Sequence, residues 1–261
     1  MNRIEKKFRE LKQKKKKAVI AFITAGYPSL KVTKELVLAF AKLGVDIIEL
    51  GVPFSDPLAD GPIIQRASQA ALGRKVTLKK ILTLVKNIRR QSQVPLCLMT
   101  YFNPLLAFGE KRFIRRASLS GVDGVIIPDL PPEEGRDFIR AANRQQLEVI
   151  CFIAPTTSPR RIGEIAKITR GFINYVSLTG VTGPRQKLPP DLLLQLGRIK
   201  RMTDKPVCVG FGIASREQVR QINRVADGVI VGSAIVNKIK ENIAQADLVK
   251  KVADFVKRLK A

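Results

Sequence analysis

Short β-branched strands alternate with amphipathic helices from one end of this 261-residue chain to the other, which limits it to α/β folds built on a parallel sheet. Eight strands are read at Val19 to Thr24, Ile47 to Leu50, Leu96 to Tyr101, Gly124 to Ile127, Glu148 to Ile153, Ile173 to Ser177, Val207 to Val209 and Gly228 to Val231. A helix is expected after each. In the last helix Leu248, Val249, Val252, Phe255, Val256 and Leu259 share one stripe, with lysines opposite. Helix starts are marked by Ser158-Pro159, by Ser215 with Gln218 three residues on, and by Pro132 before Glu133-Glu134. An extra helix, Asn2 to Lys14, precedes the first strand, and its Ile4, Phe8 and Leu11 stripe suits it to plug the bottom of a barrel. With no linker in sight, the pattern predicts one (β/α)8 TIM barrel domain over residues 1–261, with an open doubly wound sheet as the second architecture.

The chain has no histidine, so Ser-His-Asp and Cys-His nucleophiles and histidine-based metal sites are excluded. Acid–base work falls to Asp, Glu, Lys or Tyr. Cys97, Cys151 and Cys208 lie in separate apolar strands without CxxC spacing and read as buried small hydrophobes. No apolar run approaches membrane-spanning length and no secretory leader is evident, so a soluble cytoplasmic protein without a membrane partner is expected. The net charge of +25 invites a nucleic-acid reading. Residues 1–17 hold nine Lys/Arg against two acids, but the remaining surplus is spread over the expected helices and aromatic residues for base stacking are few. A solvated surface is the reading preferred over a nucleic-acid partner, with steering of an anionic substrate next.

Chemistry concentrates in IIELGVPFSDPLADGP, residues 47–62. Alternation places Glu49 on one strand face with Val45 and Ile47, where an ionised carboxylate is costly. Asp60 follows in a loop stiffened by Pro53, Pro57 and Pro62. Two acids in unlike environments suit an acid/base pair. Three glycine-bearing segments then follow strands six, seven and eight: Leu178 to Gly183, Gly210-Phe211-Gly212-Ile213, and Gly232-Ser233-Ala234. Backbone N–H groups, a helix start and the Ser233 hydroxyl make these a phosphate cradle. Residues 178–190 form a long βα connection expected to act as a lid. Phe22, Met99, Ile126, Ile153 and Phe211 lie at strand ends around the expected mouth, and Tyr175 reads first as a packed ring with a satisfied hydroxyl and second as a group that sends its hydroxyl into the mouth. Asp129 reads first as a turn-stabilising carboxylate and second as a catalytic one. No strand carries a Schiff-base lysine, so a carbon–carbon cleavage here needs a substrate that is its own electron sink.

The Glu49 to Pro62 run, followed in order by Tyr175, SLTGVTG, GFGI and GSA, resembles the tryptophan synthase alpha subunit family over essentially the whole chain. The resemblance implies retro-aldol cleavage of indole-3-glycerol phosphate to indole and glyceraldehyde 3-phosphate. It implies that Glu49 moves protons, that Asp60 binds the ring N–H, that Tyr175 positions Glu49, and that Thr182 reaches Asp60 on lid closure. Gly183, Gly212 and Ser233 would hold the phosphate, beside the Gly232 already read in the last glycine segment, and Phe22, Met99, Ile126, Ile153 and Phe211 the indole. It further implies a beta-subunit partner in an alpha2beta2 complex. That partner uses pyridoxal phosphate, and no cofactor is expected in this chain. Pro128 departs from the small residue common at its position. Competing readings are a stand-alone indole-glycerol-phosphate lyase, a basic non-catalytic binding protein, and another phosphate-binding barrel such as an isomerase or thiamin-phosphate synthase.

Overall fold

The structure, a computed structural model, describes residues 1–176, 188, 191–210 and 212–260. Among these, the strands are β1 (Ala18–Thr24), β2 (Ile47–Gly51), β3 (Leu96–Met99), β4 (Gly124–Ile126), β5 (Glu148–Ile150), β6 (Phe152–Ile153), β7 (Ile173–Val176), β8 (Val207–Gly210) and β9 (Gly228–Val231). All pairings are parallel, in the order β5-β4-β3-β2-β1-β9-β8-β7-β6.

The expected fifth strand is interrupted at Cys151: its lower half, β5, pairs with β4, and its upper half, β6, pairs with β7. Strands in a closed barrel are staggered, so each half of this strand meets a different neighbour. Arg170 N–H to Val149 O at 3.2 Å and Asn174 N–H to Cys151 O at 3.0 Å complete the seam. With β5 and β6 taken as one interrupted strand, the sheet is the eight-position ring of a (β/α)8 barrel.

The helices are α1 (Arg3–Gln13), α2 (Leu30–Lys42), α3 (Pro62–Gly73), α4 (Leu78–Arg89), α5 (Phe102–Phe108), α6 (Glu110–Ser120), α7 (Arg136–Arg144), α8 (Pro159–Ile168), α9 (Leu192–Lys200), α10 (Arg216–Asn223), α11 (Ser233–Glu241) and α12 (Leu248–Lys260). Pairs of helices follow β2, β3 and β9, where one helix was expected after each. The third strand stops at Met99, because Tyr101 is already the N-cap of α5. The helix expected at Glu133 starts only at Arg136, since residues 132–134 form a turn closed by Glu134 N–H to Pro131 O at 3.0 Å. The caps at Ser158 and the Ser215/Gln218 capping box form as read.

Helix α1 is the plug. Asn2 caps it, accepting the Ile4 N–H at 2.9 Å, and donates to Asp123 O and Gln146 O at the barrel bottom. Ile4, Phe8 and Leu11 are buried against inward strand residues, among them Ile20, Ile47, Cys97 and Ile150, and against Phe172 just before β7. Each such side chain contributes about 1.5–3 kcal/mol when removed from water. Asp123 ties the plug to the outer ring, bridging Arg3 at 2.8 Å and Arg89 at 2.6 Å. The bottom is therefore closed and the opposite end is left for function.

Candidate active site

Parity along the strands decides what faces the mouth. On β1 and β2, Phe22 and Glu49 are direct partners in the register, and on β7 Asn174 partners Cys208 of β8. Above the plug these inward positions open into a cavity of about 490 Å³ at the C-terminal ends of the strands. Its walls include Phe22, Glu49, Asp60, Met99, Ile153, Asn174, Gly212, Gly232 and Ser233. Phe22 reaches its place because residue 51 is glycine: a Cβ there would lie 2.5 Å from the ring.

Glu49 is 1 % exposed, and its Oε1 has no hydrogen-bond partner among the described residues. Burial pushes its carboxyl up to about 8. Asp60 stands at the end of the β2–α3 loop, just before Gly61, the N-cap, and Pro62 at N1. Its main chain is fixed by Asp60 N–H to Pro57 O at 3.0 Å and by Gln65 Nε2 donating to Asp60 O at 2.8 Å. Burial raises its carboxyl to about 6, less than for Glu49, because Asp60 is less deeply buried and the Tyr101 hydroxyl donates a hydrogen bond to it. Tyr101 in turn accepts the Ala59 N–H at 3.0 Å and packs on Phe54 at 5.3 Å between centroids. Tyr101 escaped the sequence reading, which ran the third strand through it.

Burial therefore favours the protonated form more strongly in Glu49 than in Asp60, and both acids line one largely apolar cavity.

The opposite wall suits an anion. Gly212 adopts φ +37°, in the left-handed region that favours glycine. Gly232 caps α11 without a side chain, so no side-chain cap occupies the first N–H groups of that helix, and Ser233 begins it.

Several expected residues lie elsewhere. Tyr175 is a correction: it points outward from β7, is fully buried between the sheet and the helices, and donates its hydroxyl to Gln195 on α9. The period of two explains this, since its neighbour Asn174 takes the inward position. Asn174 is buried, with Oδ1 unpartnered among the described residues and 3.4 Å from where a Cβ on Gly210 would stand. Ile126 is fully buried deeper in the barrel, with the cluster around α1, and is not among the cavity-lining residues. Asp129 accepts the Phe102 N–H at 2.9 and 3.1 Å, capping α5, in keeping with its turn-stabilising reading. Thr182, Gly183 and Phe211 lie outside the described residues, as does the expected lid at 178–190 apart from Leu188. Pro128 lines the cavity.

Two buried acids in one cavity, with an anion cradle at the seventh and eighth barrel positions, define a barrel enzyme that handles a phosphate ester by acid–base chemistry. The family model for the tryptophan synthase alpha chain matches residues 8–261. The alpha chain of Geobacter sulfurreducens is 48% identical over 260 residues, covering 100% of this chain and 98% of the relative. The crystal structure of the alpha subunit from Legionella pneumophila superposes with a TM-score of 0.93 at 37% identity, covering 100% of this chain and 97% of that one. A chain from the a2b2 tryptophan synthase complex of Pyrococcus furiosus, described there as mutually activating, gives 0.86 at 36% identity, covering 93% and 97%. This chain belongs to the tryptophan synthase alpha chain family.

Proposed function

We propose that this chain cleaves indole-3-glycerol phosphate through Glu49 and Asp60, acting as one barrel domain in the cytoplasm and passing indole to a beta subunit. The observation that carries the reading is the pair of acids in one cavity, Glu49 fully buried with Oε1 unpartnered among the described residues and Asp60 held by Tyr101. Glu49, neutral at rest, gives its proton to indole C3, and the ring becomes an indolenine cation. Asp60, already ionised, accepts the ring N–H and stabilises that cation electrostatically. The Glu49 carboxylate then takes the proton from the hydroxyl on the side-chain carbon next to the ring. The carbon–carbon bond breaks, its electron pair returns to the ring as indole, and the new carbonyl leaves as glyceraldehyde 3-phosphate.

The apolar walls, Phe22, Met99 and Ile153 among them, hold the indole, while Gly212, Gly232, Ser233 and the start of α11 hold the phosphate. Asn174 borders the space between and orients the glycerol hydroxyls. The reaction calls on no cofactor from this chain, and pyridoxal phosphate belongs to the partner's step. The test is parallel measurement of indole and glyceraldehyde 3-phosphate released by the purified chain, with and without a beta subunit. Equal amounts of both products, released faster with the partner, are expected. Fast release independent of the partner favours a stand-alone lyase, and no release in either condition refutes the reading.

A further inference from the structure

The positive charge of this chain is not evenly placed. Helix α4 contains no acidic residue, and α6 has only Glu110, in its first turn. The two helices pack together, and beside them runs a groove of about 790 Å³ lined by Lys79 and Lys86 of α4 and by Lys111, Arg112, Arg115 and Arg116 of α6. All six are exposed, and none makes an ion pair among the described residues. The groove lining holds these six cations and no carboxylate, whereas another cation-rich groove, beside α1, includes Asp204 and Asp227. Gathering like charges without counter-charges is unfavourable in the free protein and is relieved by an anionic partner.

The groove is not purely electrostatic. Leu82 and Phe108 line it, and Leu119 stands 71% exposed beside them. The Arg112 guanidinium lies 5.0 Å from the centre of the Phe108 ring, so that ring is already engaged. Among the described residues, none lines both this groove and the catalytic cavity.

We propose that the α4/α6 groove is a docking site for an acidic amphipathic helical segment of a partner protein. Charge complementarity selects an anion, and the apolar floor selects among anions. A helix with carboxylates on its flanks and leucines between uses both features. A nucleic-acid backbone uses only the cations, and the one ring in the groove is covered by Arg112 rather than open to a base. The twelve residues of α4 span about 18 Å, room for roughly three turns of such a helix.

The test is fluorescence anisotropy with the full chain and a labelled synthetic helical peptide of about 20 residues, glutamate on two faces and leucine on the third. Poly-glutamate and a random-sequence DNA duplex of similar length are the comparison probes, at about 150 mM salt so that non-specific attraction is screened. Reversing three groove charges together, Arg112→Glu, Arg115→Glu and Arg116→Glu, is expected to weaken the peptide at least about tenfold. Reversing three cations on α12, Lys250→Glu, Lys257→Glu and Arg258→Glu, alters net charge equally and is expected to change binding less than about twofold. Leu119→Ser is expected to weaken the peptide but not poly-glutamate. The groove variants should leave indole release unchanged. A set with glutamine at the same three groove arginines, with unaltered thermal unfolding, separates lost binding from lost folding. No peptide binding, equal losses from the two triple variants, or a duplex bound as tightly as the peptide would each overturn the proposal.

Discussion

The Tyr101 hydroxyl donates to the Asp60 carboxylate while accepting the Ala59 N–H at 3.0 Å, so one ring fixes both the charge and the position of that acid. The hydrogen bond favours the ionised form, and burial opposes it. The pH dependence of cleavage follows from the pair. Activity needs Asp60 ionised and Glu49 protonated, so kcat/KM should rise through about 6, where Asp60 ionises, and fall through about 8, where Glu49 loses its proton. Tyr101→Phe removes the bond that holds the Asp60 pKa down. The acidic limb should therefore move to higher pH, with kcat/KM at neutral pH falling about tenfold. An unmoved acidic limb would detach Tyr101 from Asp60.

Ser233 opens α11 at the anion wall, where Gly232 leaves the helix N-terminus uncapped by any side chain. Ser233→Asp sets a carboxylate against the phosphate. KM for indole-3-glycerol phosphate should rise at least about tenfold, with kcat changed much less, because uniform binding is lost rather than proton transfer. A fall in kcat at constant KM would place the phosphate elsewhere.

Glu148, at the closed end of the barrel, is 2% exposed with neither carboxyl oxygen partnered among the described residues. Burial pushes it up to about 8, reinforced by Glu5 and Asp123 and offset by Arg170 and Lys205. The folded state therefore holds a proton that the unfolded chain releases near 4.5, and this group withdraws stability as pH rises from there to about 8. Glu148→Gln removes the ionisation. Unfolding at pH 8 should show a gain of at least about 1 kcal/mol over the parent, shrinking toward pH 4.5. A gain independent of pH would point to packing instead.

Tyr175 and Asn174 separate what a motif conveys from what the backbone decides. The motif order was enough for the family, and the strand and helix alternation was enough for the barrel and for α1 as its plug. The carried-over position for Tyr175 failed because one residue of shift along a strand exchanges inside for outside. Tyr101 was missed for a related reason: a strand end and a helix N-cap look alike in an apolar run. The break at Cys151 comes from the stagger of closure, which is a property of the ring and not of local sequence. Tyr175→Phe loses only the bond to Gln195 and should reduce stability by about 0.5–1.5 kcal/mol with kcat within about twofold of the parent. Asn174→Leu should lower kcat/KM about tenfold without loss of stability, since the buried Oδ1 it removes has no partner among the described residues. The reverse pattern would return Tyr175 to the site.

The most direct measurement is single-turnover release of indole from indole-3-glycerol phosphate by the parent chain and by Glu49→Gln, each with a beta subunit. The amide keeps the shape of Glu49 but neither gives nor takes the proton. A rate at least about a hundredfold lower with substrate binding retained is expected. Release at a rate near that of the parent would contradict Glu49 as the group that moves the proton.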